Sequence, residues 1–193
     1  MVSCRKLVCT LLALSALGVV PALADITVYW SPGNCPQVPV GNQITMDLYA
    51  DIPEADAVVG YGLDLYFDET KVAVSAVSIG TPWAATAAVD PDPNDASVDL
   101  NFAATNEFPG DAVFGTGVLL ASITFDALSV GMTDLVIGDH NALGDLNEGF
   151  AANPPPTGAF VPYSATNGCI EVVPEPATLS LLALAGLALL RRR

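Results

Sequence analysis

Basic residues and histidine are almost absent from this 193-residue chain, apart from its two terminal segments. Lys71 is the single cation between Lys6 and Arg191, and His140 is the single histidine. Without arginine, this region lacks the side chain best suited to holding a phosphate or carboxylate, and one histidine cannot form a zinc-binding pair. The chain also has no Gly-x-Ser-x-Gly motif and no phosphate-binding glycine loop, so no catalytic set is visible.

Acidic residues are abundant, and their distribution excludes two classes of partner. Of the 21 acids, 20 lie between Asp25 and Glu171, where only Lys71 opposes them, so this region carries a net charge of about −19. Such a surface repels nucleic acid and anionic membranes, and we expect it to bind neither. Adaptation to a saline habitat explains the excess at least as well as a dedicated calcium site.

The N-terminal residues have the three parts of a secretory signal peptide. Arg5 and Lys6 precede an apolar segment at residues 7–20, and a small-x-small site at Ala22 and Ala24 follows. We expect signal peptidase to cleave after Ala24 and leave Asp25 as the first mature residue. An uncleaved N-terminal anchor is the alternative, and a lipoprotein is a weaker one.

The C-terminal residues combine a stiff polar motif, an apolar run and a cationic end. The polar motif is Val173, Pro174, Glu175 and Pro176, and the end is Arg191, Arg192 and Arg193. We expect the prolines to keep their motif out of helical conformation. Residues 177–190 predict a helix of roughly 21 Å, which is short against a hydrocarbon core of about 30 Å. The alternatives are an ordinary C-terminal anchor and a buried helix.

These C-terminal residues closely resemble the PEP-CTERM sorting signal of Gram-negative bacteria. The resemblance implies that an exosortase recognises and removes the tail, after transient association of its helix with the inner membrane. It also implies delivery to the cell surface or the exopolysaccharide matrix. We therefore divide the chain into a signal peptide at residues 1–24, a domain at 25–172 and a sorting signal at 173–193. The resemblance covers about a tenth of the chain and implies a destination rather than an activity.

Short alternating segments predict that residues 25–172 form an all-β domain. Apolar side chains alternate with polar ones in several segments, as in a strand with one buried face, and no helical period of useful length appears between them. The best examples are Ile44, Met46, Leu48 and Ala50; Val59, Tyr61, Leu63, Leu65 and Phe67; and Leu119, Ala121, Ile123 and Phe125. Turn residues separate the segments at regular spacing, which favours a jelly-roll-like β-sandwich of about eight to ten strands.

Two of these segments resemble cohesin domains. Residues 59–80 read Val-Gly-Tyr-Gly-Leu-Asp-Leu-Tyr-Phe-Asp-Glu-Thr-Lys-Val followed by a Val/Ser-rich strand, and residues 117–137 are similar to the later cohesin strands. The resemblance implies a nine-stranded jelly roll related to carbohydrate-binding modules. It also implies non-catalytic binding of a dockerin module, although no residue here can be assigned to that contact.

Cys35 and Cys169 stand near the two ends of the predicted domain, and an oxidising compartment permits a disulfide between them. Closing so long a loop contributes about 5 kcal/mol in the chain-entropy model, less any strain. Unpaired thiols or intermolecular pairing are the alternatives, and we favour the intramolecular bond.

Two acidic loops and three aromatic residues are the candidate ligand sites. Calcium binds six to eight oxygens, which the loops supply without forming an EF-hand. The candidate calcium ligands are Asp90, Asp92, Asn94 and Asp95 in one loop and Asp139, Asn141, Asp145 and Asn147 in the other. Tyr49 and Tyr66 on polar strand faces and Trp83 in a loop are candidates for stacking on sugar rings, with partial packing in the core or at an edge as the alternative.

The sequence is compatible with three functions. The first is an exported, non-catalytic surface or matrix protein that binds a surface protein, such as a dockerin-like module, or exopolysaccharide. The second is a calcium-dependent adhesion or structural module, in which calcium is the one cofactor considered. The third is a glycan-active enzyme, for which a close pair among so many carboxylates carries no specific signal.

Overall fold

The computed structural model describes residues 25–84, 88–92, 97–105, 112–138, 149–152, 160–176, 180 and 191. Fourteen strands lie in these ranges: β1 Ile26–Ser31, β2 Gln37–Pro39, β3 Gln43–Ile52, β4 Val58–Tyr66, β5 Val72–Ile79, β6 Trp83–Ala84, β7 Ala88–Asp92, β8 Ser97–Thr105, β9 Gly115–Ala127, β10 Gly131–Gly138, β11 Gly149–Ala152, β12 Phe160–Val161, β13 Tyr163–Thr166 and β14 Gly168–Val173. One 3-10 turn, Glu54–Asp56, joins β3 to β4.

The strands form two sheets that enclose one core. The smaller sheet has the order β13-β1-β3-β9-β5. The larger sheet runs β12-β11-β4-β10-β14-β2, and β8 pairs with β4 and carries β6 and β7. The predicted all-β sandwich is therefore confirmed. The described strands outnumber the eight to ten expected because several have only two to four residues, too few to produce a recognisable alternation.

The strand alternation places the core between the sheets. In β3, Met46, Leu48, Ala50 and Ile52 are buried, and the polar residues between them face outward. In β4 the predicted inward residues Tyr61, Leu63 and Leu65 join the same core cluster. The alternation predicts that the other side of β4 faces solvent, and this is wrong: Gly60, Gly62 and Asp64 are also buried. β4 has β8 on one side and β10 and β11 on the other, so neither of its edges is open.

A bulge in β9 corrects the predicted face of that strand. Leu48 pairs with Ala121 and Tyr49 pairs with Leu119, so Leu120 is the extra residue on β9. Leu120 is fully buried, whereas Leu119, which alternation placed in the core, is only half-buried. A strict period of two cannot follow a strand across such an insertion.

Three buried aromatic donors tie the two sheets together. Trp30 of β1 donates its Nε1–H to the Leu135 carbonyl of β10 at 3.1 Å. From the larger sheet, the Tyr61 hydroxyl donates to the Leu120 carbonyl at 2.6 Å, and Trp83 Nε1–H donates to the Leu119 carbonyl at 3.0 Å. These bonds satisfy polar groups that would otherwise be costly to bury, and they fix the relative position of the sheets.

The two ends of the domain meet at one edge of the larger sheet. β2 pairs in parallel with β14, and the Cys35–Cys169 disulfide joins them with 4.8 Å between the Cα atoms. The Val40 amide donates to the Val173 carbonyl at 3.0 Å. The predicted intramolecular disulfide is confirmed, and it lies where the first and last parts of the domain pair.

Candidate functional site

The outer face of β10 carries exposed apolar side chains. Met132 is 62% exposed, Val136 is 37% exposed, and Val130, which directly precedes the strand, is 52% exposed. The inward residues Thr133, Leu135 and Ile137 are buried, so β10 is largely apolar on both sides. We call Val130, Met132, Asp134 and Val136, with the adjoining Tyr66, the β10 face.

Neighbouring strands supply a polar rim to the β10 face. Met132 pairs with Glu171 of β14, and the Gln37 amide of β2 donates to Glu171 at 2.7 Å. At the other end, Val136 pairs with Tyr66, whose hydroxyl donates to the buried Asp64 carboxylate at 2.8 Å. Gly138 lies under the Tyr66 ring, where an added Cβ would come within 2.9 Å of it.

The arrangement is suited to contact with another macromolecule. Exposed apolar side chains on a sheet, rimmed by acids and amides, resemble the core and rim of a protein interface. Among the described residues, Lys71 is the cation beside this face, and its ammonium group donates to the Val130 carbonyl at 3.3 Å. Negative charge around the face disfavours an anionic partner and favours a neutral or basic one.

The outer face of the smaller sheet is built differently. Its polar side chains bond to each other across β3 and β9: Gln43 to Asp126 at 2.7 Å, Thr45 to Thr124 at 3.0 Å and Ser122 to Asp47 at 2.6 Å. These contacts leave little apolar surface on this part of the face. We call this outer surface the β3–β9 face.

A tyrosine pair on β1 and β3 is the one aromatic platform on that side of the sandwich in the described residues. The Tyr29 and Tyr49 rings stack with centroids 6.1 Å apart. The Tyr29 hydroxyl donates to Asp51 at 3.2 Å, and the same carboxylate oxygen accepts the Gly117 amide at 2.7 Å. Burial, followed by the hydrogen bond to Asp51 and its charge, raises the pKa of Tyr29, so the ring stays neutral at ordinary pH.

Beside Asp51 lies a cleft of about 230 Å³, and a second cleft of about 430 Å³ lies between β10, β12 and β13. Acids line the first cleft, including Asp25 and Glu54. No group of three potential metal-ligating side chains occurs among the residues that the structure describes.

The structure separates the predicted aromatic ligands. Tyr49 lies on the smaller sheet and Tyr66 on the larger one, so they cannot act on one ligand. Trp83 is a correction: it lies in β6 rather than in a loop, is only 4% exposed and packs edge-on against Tyr61 at 5.0 Å. A ring so buried cannot stack on a sugar, because it already fills the core.

The predicted calcium loops fall mostly outside the described residues. Asn94, Asp95 and the whole set at 139–148 are outside them, and of Asp90 and Asp92 only the backbone is described. That backbone belongs to β7, paired with β8, so Asp90 and Asp92 lie in a strand rather than in the expected acidic turn. Calcium binding at these loops stays a prediction.

The C-terminal motif begins at the end of the last strand of the sandwich. Val173 is the last residue of β14, Pro174 is half-buried, and Glu175 is exposed. Pro176 is helical, which corrects the expectation for the motif, and Ser180 donates its hydroxyl to the Pro176 carbonyl at 3.0 Å. Proline is tolerated in a first helical turn, where its missing N–H has no intrahelical partner.

Other predicted targeting residues are described only in part. Asp25 and Arg191 are exposed, whereas Ala22, Ala24, Arg192 and Arg193 lie outside the described residues. In the parts of the chain that are described, no helix has the length and apolar character needed to cross a membrane.

Met132 and Val136 are the site residues that the sequence reading did not single out. They lie in the segment at residues 117–137 that resembles the later cohesin strands, and Val130, Met132, Leu135, Val136 and Ile137 give its last part apolar residues at both even and odd positions. Apolar residues at both even and odd positions were the available sign that both sides of this strand are apolar. It distinguishes a strand with two apolar faces from the alternating β3, but it does not say which face remains open.

Comparisons with known proteins agree with the C-terminal sorting motif and with the sandwich fold. Residues 172–193 match the family model of the PEP-CTERM protein-sorting motif. A search of curated proteins finds no match.

Solved structures with similar folds are cohesin modules. A type I cohesin–dockerin complex from Clostridium thermocellum matches with a TM-score of 0.59 and 14% identity, covering 78% of this chain and 95% of that one. The seventh ScaB type I cohesin from Pseudobacteroides cellulosolvens matches at 0.55 and 16%, covering 78% and 94%.

A non-cellulosomal cohesin from the archaeon Archaeoglobus fulgidus matches with a TM-score of 0.54 and 15% identity, covering 81% of this chain and 97% of that one. At these identities the likeness establishes the fold. The chain is thus a β-sandwich with a cohesin-like fold that carries a PEP-CTERM sorting motif at its C-terminal end.

Proposed function

We propose that this is an exported, non-catalytic surface or matrix protein whose sandwich binds another protein through the β10 face. The observation that carries the proposal is the exposure of Met132 and Val136 on a strand whose other side is already in the core. Soluble domains rarely leave such strips uncovered unless they serve as contact surfaces. The sorting motif supports export, and the cohesin-like fold supports a binding role.

The partner is inferred to be a protein module of the dockerin type, neutral or basic where it meets the face. One of the similar solved structures is described as a cohesin–dockerin complex. The acidic rim and the net charge of the domain favour such a partner by steering, and the apolar strip supplies the desolvated contact. Exosortase and signal peptidase are the proposed partners during export.

Site-specific photo-crosslinking in the exporting cell tests this proposal. A photoreactive residue at Met132 is expected to capture one protein, and the capture should disappear when Val136→Asp is added. The matched control places the same probe at Thr45 of the β3–β9 face. Equal capture from both positions, or capture at 132 that survives Val136→Asp, would contradict the proposal.

The Tyr29–Tyr49 stack supports polysaccharide binding as a second candidate function. The pair presents half-exposed rings on a sheet, and aromatic rings can pack against the apolar faces of sugars. Affinity electrophoresis in gels containing the organism's exopolysaccharide would show retardation that Tyr49→Ala abolishes. Retardation that Tyr49→Ala leaves intact would rule this surface out as the polysaccharide site.

The remaining alternatives are a calcium-dependent adhesion module and a glycan-active enzyme. Titration calorimetry with calcium separates the first, since specific binding releases more heat than magnesium does and raises the melting temperature. A reducing-sugar release assay on the exopolysaccharide separates the second.

A further inference from the structure

The end strands of the two sheets differ in how well they are protected. End strands expose unpaired backbone groups, and proteins usually shorten them or place proline or charge on them. β2 has three residues and ends in Pro39, β12 has two residues, and β13 has four. β7, at the far side of β8, contains Asp90, Pro91 and Asp92.

β5 has none of these protections. Among the residues that the structure describes, it is the last strand of the smaller sheet on the side opposite β13, and its one strand partner is β9. Its eight residues, Val-Ala-Val-Ser-Ala-Val-Ser-Ile, include no charge, no proline and no glycine. Ser75, Ala76 and Ser78 are exposed. An uncharged strand of this length with an open edge is a template for pairing with another strand.

The bulge in β5 makes its pattern symmetric. The register shifts between Val74 and Ala76, and Ser75 points to the outer face, where its hydroxyl donates to the Thr124 carbonyl at 3.2 Å. Ala76 pairs with the outward Thr124. Val72, Val74, Val77 and Ile79 therefore pack against the core, whereas Ala73, Ser75, Ala76 and Ser78 face outward.

We propose that two copies of this chain associate edge to edge through β5, antiparallel, about a two-fold axis between Ser75 and Ala76. In that register Val72 opposes Ile79 of the second copy, Val74 opposes Val77, and Ala73 opposes Ser78. Each inward residue meets an inward residue and each outward residue meets an outward one, as directly opposed residues of antiparallel strands must. A second copy fits because the strand is complementary to itself.

Charge supports this edge as the place where two strongly acidic domains can meet. Lys71, the single cation of residues 25–176, directly precedes β5. In the antiparallel register one Lys71 lies at each end of the contact. The remaining repulsion between the copies is long-range and is screened by salt, so association strengthens as ionic strength rises. The contact lies on the smaller sheet and leaves the β10 face free.

Cysteine crosslinking of the full secreted protein tests the contact. Ala76→Cys places two thiols beside the axis and is expected to give a disulfide-linked dimer under mild oxidation. The matched control is Ala165→Cys, an exposed alanine on the end strand β13. The yield from Ala76→Cys should exceed the control severalfold and rise at least about threefold from low to high salt.

A second variant separates association from folding. Ala76→Asp should abolish the association seen by sedimentation equilibrium of the protein with native cysteines and leave its melting temperature close to that of Ala165→Asp. Equal crosslinking at positions 76 and 165, a yield that falls with salt, ladders beyond the dimer, or association that survives Ala76→Asp would each overturn the proposal.

Discussion

The outer faces of the two sheets expose different kinds of side chain to solvent. On the β3–β9 face, Thr45 bonds to Thr124 and Gln43 to Asp126, so polar side chains satisfy one another in water. On the β10 face, Met132 and Val136 expose apolar surface. In our proposal the first face is a solvated surface and the second a contact surface, although both belong to one sandwich.

The largest functional effect we expect is weaker binding, from substitutions that make the β10 face resemble its counterpart. Met132→Asp with Val136→Asp should weaken binding of the crosslinked partner at least about 30-fold, as expected for two central apolar contacts. The melting temperature should change little, because both side chains are substantially exposed. Titration calorimetry measures the affinity, and Thr45→Asp with Thr124→Asp is the control pair, whose affinity should stay near the native value.

The next effect concerns stability at the edge that adjoins the β10 face. Replacing Cys35 and Cys169 together by serine should lower the free energy of unfolding by about 2–5 kcal/mol, because the disulfide spans 134 residues. Urea unfolding measures the loss, and the native protein under reducing conditions should match the double variant. A double variant as stable as the oxidised protein would remove the disulfide from this account.

A smaller effect distinguishes tyrosines inside and outside the sandwich. Tyr61→Phe removes the cross-sheet bond to the Leu120 carbonyl and should cost about 1 kcal/mol, since that carbonyl still accepts the Gly80 amide. Tyr49→Phe on the outer face is the matched control and should leave the unfolding free energy close to native. Equal losses in urea unfolding would mean that the tie between the sheets adds nothing.

The smallest effect we expect is on the loss of stability at low pH, and it comes from Asp68 in the turn after β4. Hydrogen bonds from the Thr70 side chain and then its amide hold the pKa of Asp68 below its usual 3.8. Because the folded-state pKa is the lower one, this contribution is complete above the usual value and is lost as pH falls through the folded one. Asp68→Asn should flatten the decline of melting temperature below about pH 4, and thermal unfolding of the native and variant proteins across the acid range measures the difference.

The features that the sequence predicted well are those that depend on local pattern. The inward faces of β3 and of the central part of β4 follow from strict alternation, and the disulfide follows from two cysteines at the ends of one domain. Leu120 could not be placed, because its burial depends on a bulge opposite Tyr49. A bulge is set by how three strands meet and leaves no mark in the sequence of one strand.

The exposed side of β10, our proposed binding surface, could not be predicted for a related reason. Apolar residues on both sides of β10 predict a strand covered twice, and only the stacking of the sheets decides which side stays open. Trp83 was misplaced because its environment, against Tyr61 and the Leu119 carbonyl, comes from strands distant in the chain. Alternation therefore predicts which residues share a face, and the tertiary arrangement decides what each face meets.

Hydrogen exchange of the complex with the crosslinked partner tests the difference between the two faces most directly. We predict that binding slows exchange in peptides that cover residues 130–138 and leaves exchange in peptides that cover residues 43–49 unchanged. Protection of residues 43–49 without protection of 130–138 would contradict this prediction.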